Sequence, residues 1–214
     1  MNSFRQFAKA LARGVATVLV APELLSFAIR AALLGRGRAL ESSSQLLALF
    51  PGLTGQYLRR AFLMRVLDHC HPSATVEFGT IFSQPGARLE ENAYVGPHCH
   101  LGLVHVGRDA MLAAGVHAPS GPRTHGTDDP TRPIREQPGT REVVRVGDGA
   151  WIGSGAVLLA DVGRDTVVAA GAVVVQPLPD GVVAAGVPAR VVRRRKEPGP
   201  MDDGMRVETA EPRG

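Results

Sequence analysis

Residues 146–174 read VGDGAW, IGSGAV, a four-residue break (LLAD), VGRDTV and VAAGAV. Each six-residue word opens with Val or Ile and carries a small residue at its fifth place. A repeat this short cannot bury an apolar side chain alone, so successive copies must stack on one another. The word-initial aliphatics would then form an interior ladder, and the small residues would turn the corners. The stretch therefore predicts a parallel β-helix, or hexapeptide solenoid.

The same pattern occurs earlier, in words that begin at Leu89, Val95, Val106 and Leu112, and more weakly at Val76. Two words are short: LGLVH at 101–105 lacks one residue, and LLAD at 158–161 lacks two. A slip along a flat side would turn the interior ladder outward, so the deletions should fall at corners or force a bulge. Glycine at the second place indicates either positive φ or close backbone approach.

Composition supports a β-solenoid and argues against a helical bundle or a disordered protein. The chain of 214 residues has 25 glycines and few aromatic residues. Cys70 and Cys99 are too few for a disulfide framework, and no convincing cleavage site follows a signal-like segment. We therefore expect a cytoplasmic location. A net charge of +4 suits a polyanionic small ligand better than a nucleic acid.

Residues 1–70 differ from the rest and predict helices, one ending near Ala21 and others over 23–34, 42–49 and 55–67. Glycines 35 and 37 are expected to close the second helix. Pro22 and Glu23 interrupt the apolar run, so no uninterrupted stretch of roughly 20 residues could span a bilayer. Two interpretations remain open. The helices cap the solenoid, or residues 5–38 make peripheral contact with a membrane, apolar on one side and basic toward anionic headgroups.

Between 118 and 145 the six-residue rhythm stops in a segment rich in Pro, Gly and charge. In a solenoid such an insertion is a loop that protrudes from one corner, and long loops of this kind are usually functional. The loop carries His125, with Asp128 and Asp129 just beyond. After the repeats comes a basic run over 190–196, and the polar residues 197–214 are predicted to be disordered.

The words WIGSGA (151–156), AAGAVV (169–174) and AAGVPARVV (184–192) resemble the hexapeptide-repeat acetyltransferases. The pattern is most similar to the galactoside and maltose O-acetyltransferases and to those of exopolysaccharide clusters. The resemblance covers residues 73–195. It implies a left-handed parallel β-helix that forms a homotrimer, with acetyl-coenzyme A bound between two subunits. It also implies direct acetyl transfer to a hydroxyl, without a metal.

The resemblance further implies roles for single residues. His125 would be the general base, because an imidazole titrates near neutral pH and can accept the hydroxyl proton. Asp128 or Asp129 would orient its ring. An ungapped count from the preceding coil places the family histidine on Arg123, so we expect a loop two residues longer. The residues expected to contact the coenzyme are Trp151, Ser154, Ala170, Val175, Gln176, Arg190 and Arg193.

The two arginines match residues that meet the coenzyme's phosphates. Val175 and Gln176 stand where the family often has Thr-Lys, so one cationic phosphate contact is missing there.

Three functions are compatible with the sequence. The first is an acetyl-coenzyme A-dependent O-acetyltransferase acting on a sugar or glycan hydroxyl, although an amine or drug acceptor would use the same machinery. The second is a zinc enzyme like the γ-class carbonic anhydrases, since His100 and His105 have suitable spacing. It would need a third ligand from His69 or His71. The third is a non-catalytic trimeric scaffold.

Overall fold

The computed structural model describes residues 2–195, with side chains from residue 10 onward. Four helices precede a parallel β-solenoid of about six turns, which has the predicted form of a left-handed parallel β-helix. The predicted tail over 197–214 lies outside the described residues. The helices are α1 (Asn2–Leu19), α2 (Ala21–Leu34), α3 (Arg36–Ala48) and α4 (Gly52–Val66).

Short strands form three flat sides, called sheets A, B and C, and each turn of the chain visits them in that order. Sheet A contains β1 (His69–Cys70), β4 (Arg88–Leu89), β7 (Val104–Val106) and β10 (Val144–Val146). Sheet B contains β2 (Thr75–Val76), β5 (Tyr94–Val95), β8 (Met111–Leu112), β11 (Trp151–Ile152), β13 (Val167–Val168), β15 (Val182–Ala185) and the antiparallel β16 (Arg190–Arg194). Sheet C contains β3 (Ile81–Phe82), β6 (His100–Leu101), β9 (His117–Ala118), β12 (Val157–Leu158) and β14 (Val173–Val174).

The word-initial aliphatics form the expected interior ladder. Ile152 pairs with Leu112 on one side and Val168 on the other, and all three are buried. The residue before each of them, such as Trp151 or Met111, projects outward from the same strand. Each two-residue strand therefore contributes one side chain to the core and one to the surface.

Glycine plays two different roles in the words. At the second place it allows close approach, because a Cβ on Gly153 would lie 2.4 Å from the backbone nitrogen of Ala170. At the fourth place the backbone has positive φ, as at Gly155 (68°) and Gly171 (68°), where a Cβ would meet open space. Asp165 takes the same conformation at φ 55°, which Asp tolerates better than most residues. Close backbone approach thus explains glycine at the second place of a word, and positive φ explains it at the fourth.

Both short words fall at the corner between sheet C and sheet A. Leu101 ends β6 and β7 begins at Val104, while Leu158 ends β12 and Val162 joins sheet A through a bridge to Val146. The interior residues keep their register on each side of the corner. The deletions therefore shorten a corner and leave the flat sides unchanged, as the alternation of side chains requires.

The observed helices begin earlier than predicted in α3 and α4. Gly35 separates α2 from α3 with φ 87°, but Gly37 lies inside α3, so the prediction that it closes the preceding helix was wrong. Gly35 alone adopts the left-handed conformation there. The chain can therefore start a new helix directly at Arg36.

Helices α3 and α4 pack on the first coil of the solenoid. The backbone N–H of Phe82 donates to Ser44 Oγ (2.9 Å), and the N–H of Gly79 donates to the carbonyl of Ala48 (3.1 Å). The buried Arg59 donates from Nε to the carbonyl of Val76 (3.0 Å), and desolvation lowers its pKa. These bonds occupy backbone groups that would otherwise lie exposed at the end of the sheets.

No single helix among the described residues has the length and apolar composition needed to span a bilayer. The segments Ala10–Leu19 and Ala21–Leu34 meet that criterion only as a pair, and they are bent by 46° relative to each other.

Candidate active site

The protruding loop leaves sheet C after β9 and returns to sheet A at β10, so it extends from the C–A corner of the prism. Its base is fixed by Ser120, whose hydroxyl accepts a hydrogen bond from the N–H of Leu103 (2.8 Å). The two arms of the loop pair with each other, since Glu142 N–H donates to the Ser120 carbonyl (2.8 Å) and Thr140 N–H to the Arg123 carbonyl (2.7 Å). The loop is therefore a structured arm.

His125 lies on the outgoing arm with its side chain exposed to solvent. The returning arm passes directly beside it. A Cβ on Gly139 would lie 2.2 Å from the carbonyl oxygen of Thr124 and 2.5 Å from the backbone nitrogen of His125. On the other side, a Cβ on Gly126 would lie 2.6 Å from the carbonyl oxygen of Pro138. Two glycines thus let the arms close on the backbone of His125.

The two aspartates beyond His125 have different surroundings. Asp129 Oδ1 accepts hydrogen bonds from the N–H (2.9 Å) and hydroxyl (2.6 Å) of Thr131, and these bonds lower the pKa of Asp129. Asp128 is exposed, and its carboxylate makes no hydrogen bond within residues 10–195. Over the same residues, no hydrogen bond joins either carboxylate to the His125 ring. Asp128 therefore has the carboxylate that is available to a ring nitrogen.

Gln137 ties the tip of the loop together. Its side-chain Nε2 donates to the carbonyls of Asp129 (2.7 Å) and Arg132 (2.9 Å), and its Oε1 accepts from the N–H of Asp129 (3.0 Å). This amide is buried although it lies in the loop. Sequence reasoning missed Gln137, Gly126 and Gly139. The only sequence signal was the presence of two further glycines in a segment outside the repeats.

A second group of predicted residues lies on sheet B and the B–C corner. Trp151 projects from sheet B with 53% of its surface exposed. Ser154 and Ala170 occupy the same corner in successive coils, where the N–H of Gly171 donates to the Ser154 carbonyl (2.8 Å). Arg190 pairs with Ala185 at the end of sheet B, just below that corner.

Small side chains leave the B–C corner open to a ligand, and basic residues follow in β16, beside the last coil. Arg190 forms no ion pair with the residues that the structure describes. Arg193 lies three residues further along β16, opposite Val183. Such an open row that ends in guanidinium groups fits an elongated ligand with phosphates at one end.

Val175 and Gln176 do not join this group. They follow β14 on sheet C and therefore lie at the C–A corner, on the same side as the protruding loop. A groove of about 490 Å³ runs along that corner between the loop base and Val175. Sheet C thus separates two sets of predicted residues within one chain. On one side of sheet C, at the C–A corner, are His125, Val175 and Gln176. On its other side, at the B–C corner and on sheet B, are Trp151, Ser154, Ala170 and Arg190.

The histidines considered for zinc lie on different sides of the prism. His100 projects from sheet C and His105 from sheet A, where burial lowers the pKa of His105. His69 also lies on sheet A, and its Nε2 is 3.5 Å from Glu90 Oε2. Within the described part of the chain, no group of three or more His, Cys, Asp or Glu side chains is arranged to hold a metal ion.

Three acetyltransferases represent the known proteins to which this chain is similar. Galactoside O-acetyltransferase of Escherichia coli K12 is 28% identical over 163 residues, covering 66% of this chain and 80% of the relative. A maltose O-acetyltransferase from Clostridium difficile 630 superposes with a TM-score of 0.64 at 21% identity, over 75% of this chain and 89% of the other. A galactoside acetyltransferase in complex with coenzyme A gives a TM-score of 0.59 at 20% identity, over 84% and 87% of the two chains. No protein-family model matches the chain.

At these identities the two solved structures establish a shared fold, and the Escherichia coli relative adds similarity in sequence. Of the words that carry the resemblance, WIGSGA lies in a coil of the solenoid, and AAGVPARVV covers the end of β15, a turn and the start of the antiparallel β16. In sequence and in fold the chain is thus similar to the hexapeptide-repeat acetyltransferases.

Proposed function

We propose that the protein is an acetyl-coenzyme A-dependent O-acetyltransferase that acts on a hydroxyl of a sugar or glycan. The observation that carries this proposal is the separation of the predicted residues onto the two edges of sheet C. An arm with an exposed histidine lies at one edge, and an open row of small residues ending in arginines lies at the other. Two subunits packed side by side would bring unlike edges together.

The coenzyme would supply the acetyl group as a thioester and would lie along Trp151, Ser154 and Ala170, with its phosphates near Arg190 and Arg193. Val175 and Gln176 of the neighbouring subunit would border the same cleft. The residues fit such a ligand because Gly155 and Gly171 carry no side chain at this corner and Ser154 and Ala170 carry small ones. A homotrimer is the assembly we propose, since three such prisms form three equivalent clefts.

His125 would accept the proton of the acceptor hydroxyl and return it to the sulfur that departs. The exposed ring is accessible to a substrate, and its backbone is held by the close approach of Gly139. Asp128 is the better candidate to orient the ring, because the Asp129 carboxylate is engaged by Thr131. A hydroxyl needs such a base, since it is a weak nucleophile at neutral pH.

The test is acetyl transfer by the purified full-length chain, followed by release of free thiol with a panel of hydroxyl and amine acceptors. We expect hydroxyl acceptors to stimulate release. His125→Ala should lower kcat by about 10²- to 10⁴-fold, the usual contribution of a general base. Unfolding of this variant should match the parent, because the replaced side chain is exposed.

Arg123→Ala is the matched control on the same arm. Its guanidinium forms an exposed ion pair with Glu142 (2.9 Å), and such pairs contribute little to stability. We expect this variant to retain parental activity. Parental activity in His125→Ala, or an equal loss in Arg123→Ala, would overturn the assignment of the base.

A further inference from the structure

An apolar surface on the first two helices is left without a partner. On α1, Val18 is 71% exposed, whereas Ala16 on the opposite side is buried. From residue 10 to the end of α1, the exposed large apolar side chains are Leu11, Val15, Val18 and Leu19. Their spacing of four, three and one residues places them on one side of the helix, so they form a continuous stripe.

Helix α2 repeats the arrangement. Phe27 is buried against Phe62, with ring centroids 5.7 Å apart, while Leu33 on the outer side is 76% exposed. The other exposed large apolar residues on that side of α2 are Leu25 and Ile29. Together these seven side chains of α1 and α2 form what we call the outer apolar face. A patch of this kind on a protein surface usually marks a site of interaction.

The charged residues of α1, α2 and the start of α3 are mostly basic. Residues 2–38 contain six basic residues, Arg5, Lys9, Arg13, Arg30, Arg36 and Arg38. Glu23 is the one acidic residue in this range, and it forms an ion pair with Arg30. Arg13, Arg36 and Arg38 are exposed, although Arg13 also donates to the carbonyl of Pro72 (3.4 Å) and Arg36 to the carbonyl of Val66 (3.1 Å). A partner for this surface should therefore be apolar at its centre and negatively charged around it.

We propose that the outer apolar face lies in the interface of an anionic lipid bilayer, parallel to its surface. Helices with one apolar side and basic flanks bind this way, with the apolar side inserted to the depth of the headgroups. Anionic lipids supply the complementary charge, and each basic residue near the surface strengthens binding. A second copy of the chain fits less well, because it would bring the same positive charges together.

The inner side of these helices argues against a membrane span. Arg65 Nη2 of α4 donates to Thr17 Oγ1 of α1 (3.2 Å), and Arg30 of α2 bonds to Ser43 Oγ of α3 (3.0 Å). A helix that is packed against the rest of the protein by polar contacts on one side presents only its other side to lipid. The bend of 46° between the two segments also favours a surface position.

The experiment is co-sedimentation of the full-length chain with vesicles of phosphatidylcholine, alone or with about 30% phosphatidylglycerol. We expect binding to the anionic vesicles, weakened when salt rises from about 0.05 M to about 0.5 M because the charges are screened. Washing at alkaline pH should release the protein, since it does not span the bilayer. Neither result depends on acetyl transfer, so this proposal and the proposed function fail separately.

Three variants make the test specific. Val18→Glu combined with Leu33→Glu should reduce the bound fraction at least about tenfold, because it places charge in the inserted side. Arg38→Glu should weaken binding only to anionic vesicles. Val192→Glu replaces an exposed apolar residue of β16, far along the chain from the helices, and should bind like the parent.

The proposal would be overturned by absence of binding to anionic vesicles, or by binding that the double variant leaves unchanged. It would also be overturned if the protein resists alkaline extraction. Light scattering without vesicles tests the other possible partner of this face, a second copy of the chain. If the double variant reduces the assembly size of the parent, the face is an interface between copies of this chain.

Discussion

The coils and the protruding loop are stabilised in opposite ways. In the coils one contact recurs in every turn, so that Ile152 packs between Leu112 and Val168 as each interior residue packs between its own neighbours. In the loop each contact occurs once, as when Gly139 passes beside His125. Repetition distributes stability along the solenoid, and the unique contacts of the loop fix the backbone of His125. Substitutions in the coils should therefore lower stability, and substitutions in the loop should lower activity.

The largest effect on stability should come from the interior ladder. Leu112→Ala removes a fully buried side chain and should lower the free energy of unfolding by about 2–5 kcal/mol, as measured by urea denaturation. Met111→Ala is the control, because Met111 lies on the same strand and projects outward. An equal loss in both variants would show that the two sides of the strand do not differ as described.

The loop should show the reverse pattern. In Gly139→Ala the new Cβ would collide with the carbonyl of Thr124 and the nitrogen of His125, so the backbone of the histidine must move. Displacement of a catalytic group by about 1 Å can cost on the order of 100-fold in rate, and we expect a fall in kcat of this size. The free energy of unfolding should change by less than about 1 kcal/mol, since the loop lies outside the core.

Thr127→Ala, an exposed position on the same loop, is the control for Gly139→Ala and should leave both kcat and stability unchanged. If Gly139→Ala unfolds the protein and keeps its kcat when folded, then the loop contributes stability and does not position His125.

A smaller effect separates the two roles of glycine in the coils. Gly155 has φ 68° and open space around its Cβ position, so Gly155→Ala should cost about 1–2 kcal/mol from the left-handed backbone alone. Gly155→Asn should cost less, because Asn tolerates this conformation and Asn92 adopts it in this chain at φ 56°. The midpoints of urea unfolding would measure the difference, and equal values for Ala and Asn would contradict this explanation.

The smallest effect concerns a corner between coils. Asp180 Oδ1 accepts a hydrogen bond from the N–H of Arg164 (2.7 Å), and this bond lowers the pKa of Asp180. A lowered pKa in the folded state means that the carboxylate stabilises the fold above the pKa of the unfolded chain. That stabilisation is lost as pH falls through the folded pKa. Asp180→Asn should therefore lower Tm at neutral pH more than at acidic pH, whereas an equal difference at both would contradict this account.

The sequence predicted the solenoid because its interior position recurs in phase, and the alternation of strand side chains excluded deletions along the flat sides. For the two deletions it left a corner or a bulge open, and only the structure shows that both lie at corners. It also placed four helices approximately, although it missed that Gly37 lies within α3. It could not predict how the loop folds, because Gln137 and Gly139 act through contacts with no periodic signal. Nor could it show which predicted site residues share an edge, since that depends on which corner each one occupies.

The separation of His125 from Trp151 within one chain is the central observation, and under the proposed function it requires a complete site to be built from two subunits. Mixed trimers test this directly. His125→Ala would be mixed with the double variant Trp151→Ala/Arg190→Ala after unfolding and reassembly, each variant being inactive or nearly so alone. Random assembly pairs the intact half of one variant with the intact half of the other at about a quarter of the interfaces.

Thiol release by the mixture is therefore the decisive measurement. The account predicts that activity returns to about a quarter of the parental value per subunit, because each restored cleft takes its histidine from one chain and its coenzyme row from the next. If mixed assemblies form but remain as inactive as the separate variants, the site lies within a single chain and the account is wrong.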